Sequence, residues 1–555
     1  MEEIKQAVQA AVKQLFNVDI QVELTRPDEQ FGDYATNVAL QLAAQLQKNP
    51  REIADQLSTS VIGSTSHIKE VKVEGPGFLN VVLTDEFLTK LAFESRAERP
   101  LEGKVVVAEY SDPNPFKVLH AGHLYTSIVG DAIASLLESA GATVHRVNFG
   151  GDVGLHVAKT MWAVLRELGG ENPEKLNEIH PELRPDWLSV VYVKGNEAYE
   201  DSEEAKQEIV QLNKRIYQVQ NDNDHDSLFA QIYWTCRQWS YDYFDQFYAS
   251  IGTKFEKFYP ESLVAPLGVK TVQEQLEKGV YSKSEGAVIF DGEKYGLHTR
   301  VFINSEGLPT YEAKDVGLII TKWQDYHFDK SVVITGNDIV EYMKVVLKSV
   351  EQFQPDLVKA TIHLTHGIVK LEGGEKMSSR KGNILKAVDV LAAASIANKR
   401  ISGKEDEQVE LGAVKYSFLK QRLGADIIYD PEESVSIQGN SGPYLQYAHA
   451  RARSILAKTG EPKQLSEYSF EASERSLLRK LGEYTEAVGR AINDLMPHHI
   501  CTYLYELAQT FNRFYEQNRV IDDPRQDIRL KLVASYADIL KQGLGLLNIA
   551  APEKM

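Results

Sequence analysis

Glu109-Tyr-Ser-Asp-Pro-Asn-Pro-Phe-Lys-Val-Leu-His-Ala-Gly-His123 follows the apolar run Lys104-Val-Val-Val-Ala108 and precedes Leu124-Tyr-Thr-Ser-Ile-Val-Gly-Asp-Ala-Ile-Ala134. A Val-rich run, a Pro-broken loop and a helical pattern read as strand, loop and helix, the unit that carries nucleotide phosphates in many α/β folds. His120 and His123 are three apart at the helix start, so they share a face beside free backbone N–H groups and the positive end of the helix dipole. Gly122 lacks a Cβ and lets a flat base approach the backbone. Alone, H-x-G-H describes an ordinary pair of N-terminal helix histidines equally well, so the surrounding chain decides.

Downstream, Thr143-Val-His-Arg-Val147 reads as the next strand, and Gly150-Gly-Asp-Val-Gly154 as a second glycine-rich loop opening a helix at Leu155. Two such units in succession predict a doubly wound sheet. Ala287–Phe290, Arg300–Ile303, Ser331–Thr335 and Ile362–Val369 read as further strands, with Thr310-Tyr-Glu-Ala-Lys-Asp315 opening a helix between them. Glu372-Gly-Gly-Glu-Lys-Met-Ser-Ser-Arg-Lys-Gly-Asn383 is a glycine-flanked loop made cationic by Lys376, Arg380 and Lys381, able to close charge onto phosphate.

Upstream, Ile4, Val8, Val12 and Leu15 mark one face of a first helix, and a second is expected from about Tyr34. Phe31-Gly-Asp-Tyr-Ala35 reads as a turn with a helix-capping acid, and Val71–Leu83 as strands broken at Gly75-Pro-Gly77. The stretch from Glu171 to Tyr243 is strongly acidic in places and reads as a helical insertion with a solvated face, within an insertion taken as about 171–285. From about Asp406 the pattern is helical, with Tyr444, Tyr447, Ala448 and Arg451 on one face and a core stripe of Tyr503, Leu507, Ala508, Phe511, Phe514 and Tyr515.

Length, 555 residues, implies several cores, and 43% hydrophobic with 25% charged residues is ordinary for a globular protein. No apolar run suggests a membrane span. The acidic, helical start at Met1–Phe16 resembles neither a secretory signal nor a transit peptide. Cys236 and Cys501 stand far apart, which argues against a disulfide framework or a cysteine zinc site, and a cytoplasmic protein is expected. The net charge of −18 argues against non-specific coating of nucleic acid but permits a local basic groove.

Taken together, H-A-G-H and Lys376-Met-Ser-Ser379 resemble the paired HIGH and KMSKS elements of class I aminoacyl-tRNA synthetases. Ser111-x-Pro-Asn114 with Lys117, Gly151-Asp-Val-Gly154, Thr310-Tyr311, Gly442–Arg451, Phe31–Tyr34, Gly75–Phe78 and Ala551–Met555 resemble the arginyl members. The likeness covers nearly the whole chain and is weakest in the acidic insertion. A different class I synthetase, an H-x-G-H nucleotidylyltransferase, or an idle paralogue binding tRNA or protein remain alternatives at this point.

The resemblance implies a multidomain α/β protein: an α+β N-terminal tRNA-binding domain (1–100), a Rossmann-like doubly wound catalytic domain (101–400) and an all-α anticodon-binding domain (401–555). It implies that ATP, entering with Mg²⁺, meets His120, Ala121, Gly122, His123, Lys376, Met377, Ser378 and Ser379, with Lys117, Arg380 and Lys381 adding positive charge. Glu109 and Asp315 would face an arginine guanidinium, Tyr311 would line the pocket, and Asn114 would hold the α-amino or carboxylate end. A planar guanidinium with five donors calls for oriented carboxylates of this kind. Phe31, Tyr34, Tyr444, Tyr447, Arg451 and Met555 are expected to touch tRNA(Arg). Neither a tightly bound metal nor a membrane partner is expected, and the chain is expected to act as a monomer. The resemblance further implies that tRNA binds before the amino acid is activated. Three positions depart from the pattern: Ile339 replaces a substrate-contacting glutamine, Ser379 a second lysine, and Tyr125 an arginine.

Overall fold

The structure, a computed structural model, describes residues 1–94, 98–371, 385–459 and 469–555. In the N-terminal unit, β1 (Tyr34–Thr36), β2 (Ile68–Glu74) and β3 (Phe78–Leu83) form an antiparallel sheet in the order β1-β3-β2. Helices Glu2–Phe16, Val38–Leu46 and Pro50–Ile62 cover it. Ile4, Val8 and Val12 are buried as expected, but Leu15 is exposed and Phe16 turns inward in its place.

The helix expected from Tyr34 begins instead at Val38, because Asp33 is tied to β3 and caps no helix. Its N–H donates to Val81 O at 2.8 Å, and its carboxylate accepts the Leu83 N–H at 2.7 Å. Tyr34 is thereby drawn into β1 opposite Val81.

In the catalytic unit, β4 (Val105–Glu109), β5 (Thr143–Gly150), β6 (Lys257–Pro260), β10 (Lys330–Gly336) and β11 (Thr361–His366) are parallel, in the spatial order β6-β5-β4-β10-β11. The chain steps outward from β4 to β6, then returns to the other side of β4. That reversal opens a crevice at the carboxyl ends of β4 and β10, where ligands bind in doubly wound sheets. Both faces of β4 are covered: Val106 and Ala108 join one core and Val107 a second, which accounts for its unbroken apolar run. β7 (Ser282–Ser284), β8 (Ala287–Phe290) and β9 (Arg300–Ile303) form a separate antiparallel sheet.

Ile362–Val369, read as one strand, is divided. β11 stops at His366, and β12 (Val369–Leu371) pairs in parallel with β13 (Ile427–Tyr429). β13 also interrupts the stretch read as helical from Asp406: its β-branched residues lie between a glycine turn and Pro431, and they take the free edge that β12 offers. Beyond it the expected aromatic stripe is core, with Phe511 stacked on Tyr536 at 3.8 Å. The insertion folds as helices Arg184–Asp201, Glu203–Asn221 and Leu228–Ile251 around Phe229, Tyr233 and Cys236, and it ends short of the expected 285, because β6 returns the chain to the central sheet. Among the described residues no helix is long and apolar enough to cross a membrane.

The N-terminal unit docks on the helical unit through charge. Asp33, fully buried, receives Arg475 at 2.8 Å and Arg479 at 3.4 Å, and Arg26 donates to Glu486 at 2.6 Å. The Tyr34 hydroxyl donates to the same Glu486 at 2.5 Å, with the Arg26 guanidinium over its ring. Removing one partner of a pair this enclosed leaves the other charge stranded. Glu486→Ala is therefore expected to lower stability by about 3–5 kcal/mol, read from denaturant unfolding. A loss below about 1 kcal/mol, the size of an exposed pair, would contradict this docking role.

Candidate active site

The loop from β4 to the helix Ala121–Ser139 is forced into an uncommon shape: Ser111, Asp112 and Phe116 all have left-handed backbones (φ 76°, 49° and 67°). Four hydrogen bonds hold it there. Asp112 accepts the Phe149 N–H at 2.9 Å, Asn114 Oδ1 the Gly151 N–H at 2.9 Å, and Ser240 Oγ the Phe116 N–H at 2.9 Å, while Ser111 Oγ pairs with the Tyr248 hydroxyl at 2.8 Å. The loop is thus pinned to the end of β5 and to the last helix of the insertion.

His120 and His123 cap the helix for each other. His120 Nδ1 accepts the Gly122 N–H and His123 Nδ1 accepts the His120 N–H, both at 3.1 Å, with the rings stacked 3.8 Å apart. The expectation of free backbone N–H groups is corrected, since these two are taken by imidazoles and the Ala121 N–H goes to Leu385 O at 2.8 Å. Because each Nδ1 accepts, each neutral ring carries its proton on Nε2. Burial and the nearby Lys117 charge hold His120 down to about 4, and burial holds His123 well below its ordinary value, with His120 and Lys117 adding to the effect. The helix start therefore presents two neutral N–H donors. Gly122 is required by this cap itself, because a Cβ there would lie 2.8 Å from the His120 ring. Lys117 sits beside the pair with its ammonium 4.7 Å from the Tyr192 ring of the insertion.

The carboxylates gather across the crevice. Glu109, at the end of β4, forms a buried ion pair with Lys322, which also reaches Ser331. Asp315, on the helix Tyr311–Tyr326, accepts from the Tyr342 hydroxyl. Burial, with Glu109 and Glu261 adding to it, pushes Asp315 up to about 7 against the pull of that hydrogen bond. Asp112 is likewise pushed up, by burial and by Glu109. Tyr311 is half-exposed, and its hydroxyl meets His156 Nδ1 at 3.2 Å; His156 Nε2 donates to Gly151 O at 2.7 Å. Lys314 donates to Glu261 at 2.5 Å, both groups being buried.

The structure thus brings His120, Gly122, His123 and Lys117 to one side of the crevice and Glu109, Asn114, Tyr311 and Asp315 to the other. Lys376, Met377, Ser378, Ser379, Arg380 and Lys381 lie outside the described residues. The chain just beyond them is tied to the histidines, since Ala387 N–H donates to Leu119 O at 2.9 Å. Of the residues expected to touch tRNA, Phe31, Tyr447, Arg451 and Met555 are exposed and Tyr444 is half-buried against Tyr505. Tyr34 is corrected: it is wholly buried under Arg26 and presents no face to a base. Tyr125 is also buried, edge-on to His366 at 4.6 Å, and contributes no charge where an arginine would.

Lys322, Tyr342, Glu261, Lys314 and His156 escaped the sequence reading. One signal was present: a lysine seven residues after Asp315 on an apolar helix face, where an unpaired charge is costly. The insertion, read as helical with a solvated face, also supplies Tyr192 and Tyr217 to the site. Among the described residues no group of three or more His, Cys, Asp and Glu is placed to hold a metal ion.

Three family models match the chain: tRNA synthetases class I (R), catalytic domain, over residues 88–429; DALR anticodon binding domain over 445–555; and arginyl tRNA synthetase N terminal domain over 2–83. The arginine–tRNA ligase of Parabacteroides distasonis is 28% identical, aligned over 100% of this chain and 99% of its own. The solved Thermus thermophilus arginyl-tRNA synthetase superposes with a TM-score of 0.79 at 26% identity, covering 100% of both chains. That of Plasmodium falciparum reaches 0.81 at 20% identity over 100% and 99%, a likeness of fold.

The state of the two histidines can be tested without any ligand. In selectively labelled protein, His120 should titrate at about 4 and show the Nε2–H tautomer in its nitrogen shifts. A midpoint above 6, or a proton on Nδ1, would contradict the mutual cap.

Proposed function

The chain belongs to the arginyl class I tRNA synthetase family, and from that premise we propose how its residues divide the work of charging tRNA(Arg). It activates L-arginine with ATP, releasing pyrophosphate, and transfers the arginyl group to tRNA. We assign residues 1–100, 101–400 and 401–555 to the N-terminal tRNA-binding, catalytic and anticodon-binding units, acting as a cytoplasmic monomer. The observation that carries the site assignment is the pairing across one crevice of a neutral two-imidazole donor face with a carboxylate cluster.

In the first half-reaction an arginine carboxylate oxygen attacks the α-phosphorus, forming the P–O bond of the adenylate as the bond to the pyrophosphate oxygen breaks. ATP enters as its magnesium complex. The protein's share is position and charge. The Nε2–H groups of His120 and His123 donate to phosphate oxygens, and Lys117 adds a cation next to them. Lys376 with Arg380 or Lys381 meets the leaving pyrophosphate. The second half-reaction breaks the acyl-phosphate bond as the 2′-hydroxyl of the terminal adenosine of tRNA takes the arginyl group, releasing AMP. Phe31, Tyr447, Arg451 and Met555, all exposed, are assigned to tRNA contact.

The guanidinium enters between Glu109 and Asp315. Lys322 already neutralises Glu109, so Asp315 is the carboxylate whose charge the substrate completes. The sign of its pH dependence follows. Asp315 holds a proton below about 7 in the free protein, and the cation binds the ionised form, so arginine binding weakens as pH falls through that value.

The direct test is arginine-dependent ATP–pyrophosphate exchange, with and without tRNA. Exchange should occur with arginine alone among the amino acids; exchange with another amino acid, or none under either condition, would overturn the assignment. His123→Ala should lower exchange by about 10²–10³-fold, as loss of one preorganised donor does, with tRNA affinity in a filter assay unchanged. Asp315→Asn should raise the KM for arginine far more than that for ATP. In the parent chain the arginine KM should rise by up to about tenfold per pH unit below 7, and a flat profile from 6 to 8 would contradict the role of Asp315.

A further inference from the structure

Arginine brings three charged groups into the pocket, and the residues placed so far meet two. The guanidinium has Glu109 and Asp315. The carboxylate must face the α-phosphorus, and Asn114 suits that end: its Oδ1 is taken by the Gly151 N–H, which leaves Nδ2 as the donor facing the substrate. The α-ammonium needs acceptors, and Ile339 offers none from its side chain.

An acceptor stands on the other side of Gly151. Glu261 opens the helix Glu261–Glu277 directly after β6 and is 2% exposed. Its Oε2 accepts from Lys314, whereas its Oε1 accepts no hydrogen bond among the described residues. Gly151 has no room for a side chain, and only its missing Cβ lets Glu261 and Asn114 come this close. A Cβ there would lie 2.6 Å from Asn114 Oδ1, 3.0 Å from His156 Cε1 and 3.1 Å from Glu261 Oε1, so three polar groups converge on the place a side chain would fill. Lys314 keeps its charge supported from elsewhere, with the Tyr311 and Tyr217 rings 4.9 and 5.9 Å from its ammonium. Sharing Glu261 with a second cation is therefore affordable.

We propose that Glu261 Oε1 accepts the α-ammonium of arginine, so that the Glu261–Lys314 pair marks the amino-acid end of the pocket and Asp315 the side-chain end. Glu261 is then a substrate-binding residue that supplies what Ile339 lacks. The inference rests on the reading of arginine as the substrate.

The test uses the full chain, L-arginine, and 5-guanidinopentanoic acid, which is arginine without its α-amino group. Glu261→Gln should raise the KM for L-arginine about 10–100-fold, the worth of a charge-assisted hydrogen bond. It should leave the affinity for 5-guanidinopentanoic acid within twofold and the KM for ATP unchanged. Glu261→Asp keeps the charge beside Lys314 but draws the oxygen back by one methylene. It should show the same split in a protein whose folding is undisturbed. An equal loss for both compounds in the folded Asp variant would mean that Glu261 only supports the loop, and an unchanged arginine KM would remove it from the site; either overturns the proposal. Failure of the parent chain to activate arginine at all would instead overturn the substrate reading.

Discussion

Glu109 is a buried carboxylate at the end of a strand covered on both faces, and its charge has to be met before any pocket can form around it. Lys322 meets it, and that contact sets more than electrostatics. Lys322 lies seven residues beyond Asp315 and eleven beyond Tyr311, spacings that put all three on one helical face. Once Lys322 is fixed on β4, the rotation of that helix is fixed too, and Asp315 and Tyr311 must look into the crevice. Buried ion pairs contribute little net stability, yet they specify register. Here the register is the orientation of the pocket's side-chain wall.

The opposite wall obeys a different constraint. A helix start normally offers bare N–H groups to phosphate, but this one gives them to its own histidines and presents Nε2–H groups instead. The donors then stand a ring's length beyond the backbone. They are neutral, so in the proposed reading phosphate charge falls to Lys117 and to Lys376, Arg380 and Lys381. The left-handed loop between β4 and the helix joins the two walls, with Asn114 and Gly151 at the seam.

Much of this was legible in the chain. Glu109, Asn114, His120 and His123 occupy one continuous stretch, and Tyr311 and Asp315 another, so the family resemblance could be followed residue by residue along each. Their partners were not legible, because Lys322, Tyr342 and Glu261 act across elements that only the fold brings together. Glu261 looks in sequence like any acid in a first helical turn, and β6, which delivers it, is four residues long. Tyr34 was misplaced for a related reason. A Gly-Asp-Tyr turn looks like the start of a helix until the partners of Asp33 are known, Val81 and Leu83 on β3 and Arg475 in the distant helical unit.

The central claim is that one crevice holds the amino acid against carboxylates and the phosphate against the histidine pair. It is tested most directly by a crystal structure with a non-hydrolysable sulfamoyl analogue of arginyl-adenylate. The guanidinium is expected on Asp315, with Lys322 still on Glu109, and the sulfamoyl oxygens within hydrogen-bond distance of an Nε2 of His120 or His123. An analogue seated away from the carboxyl ends of β4 and β10, or one touching neither imidazole, would contradict the claim.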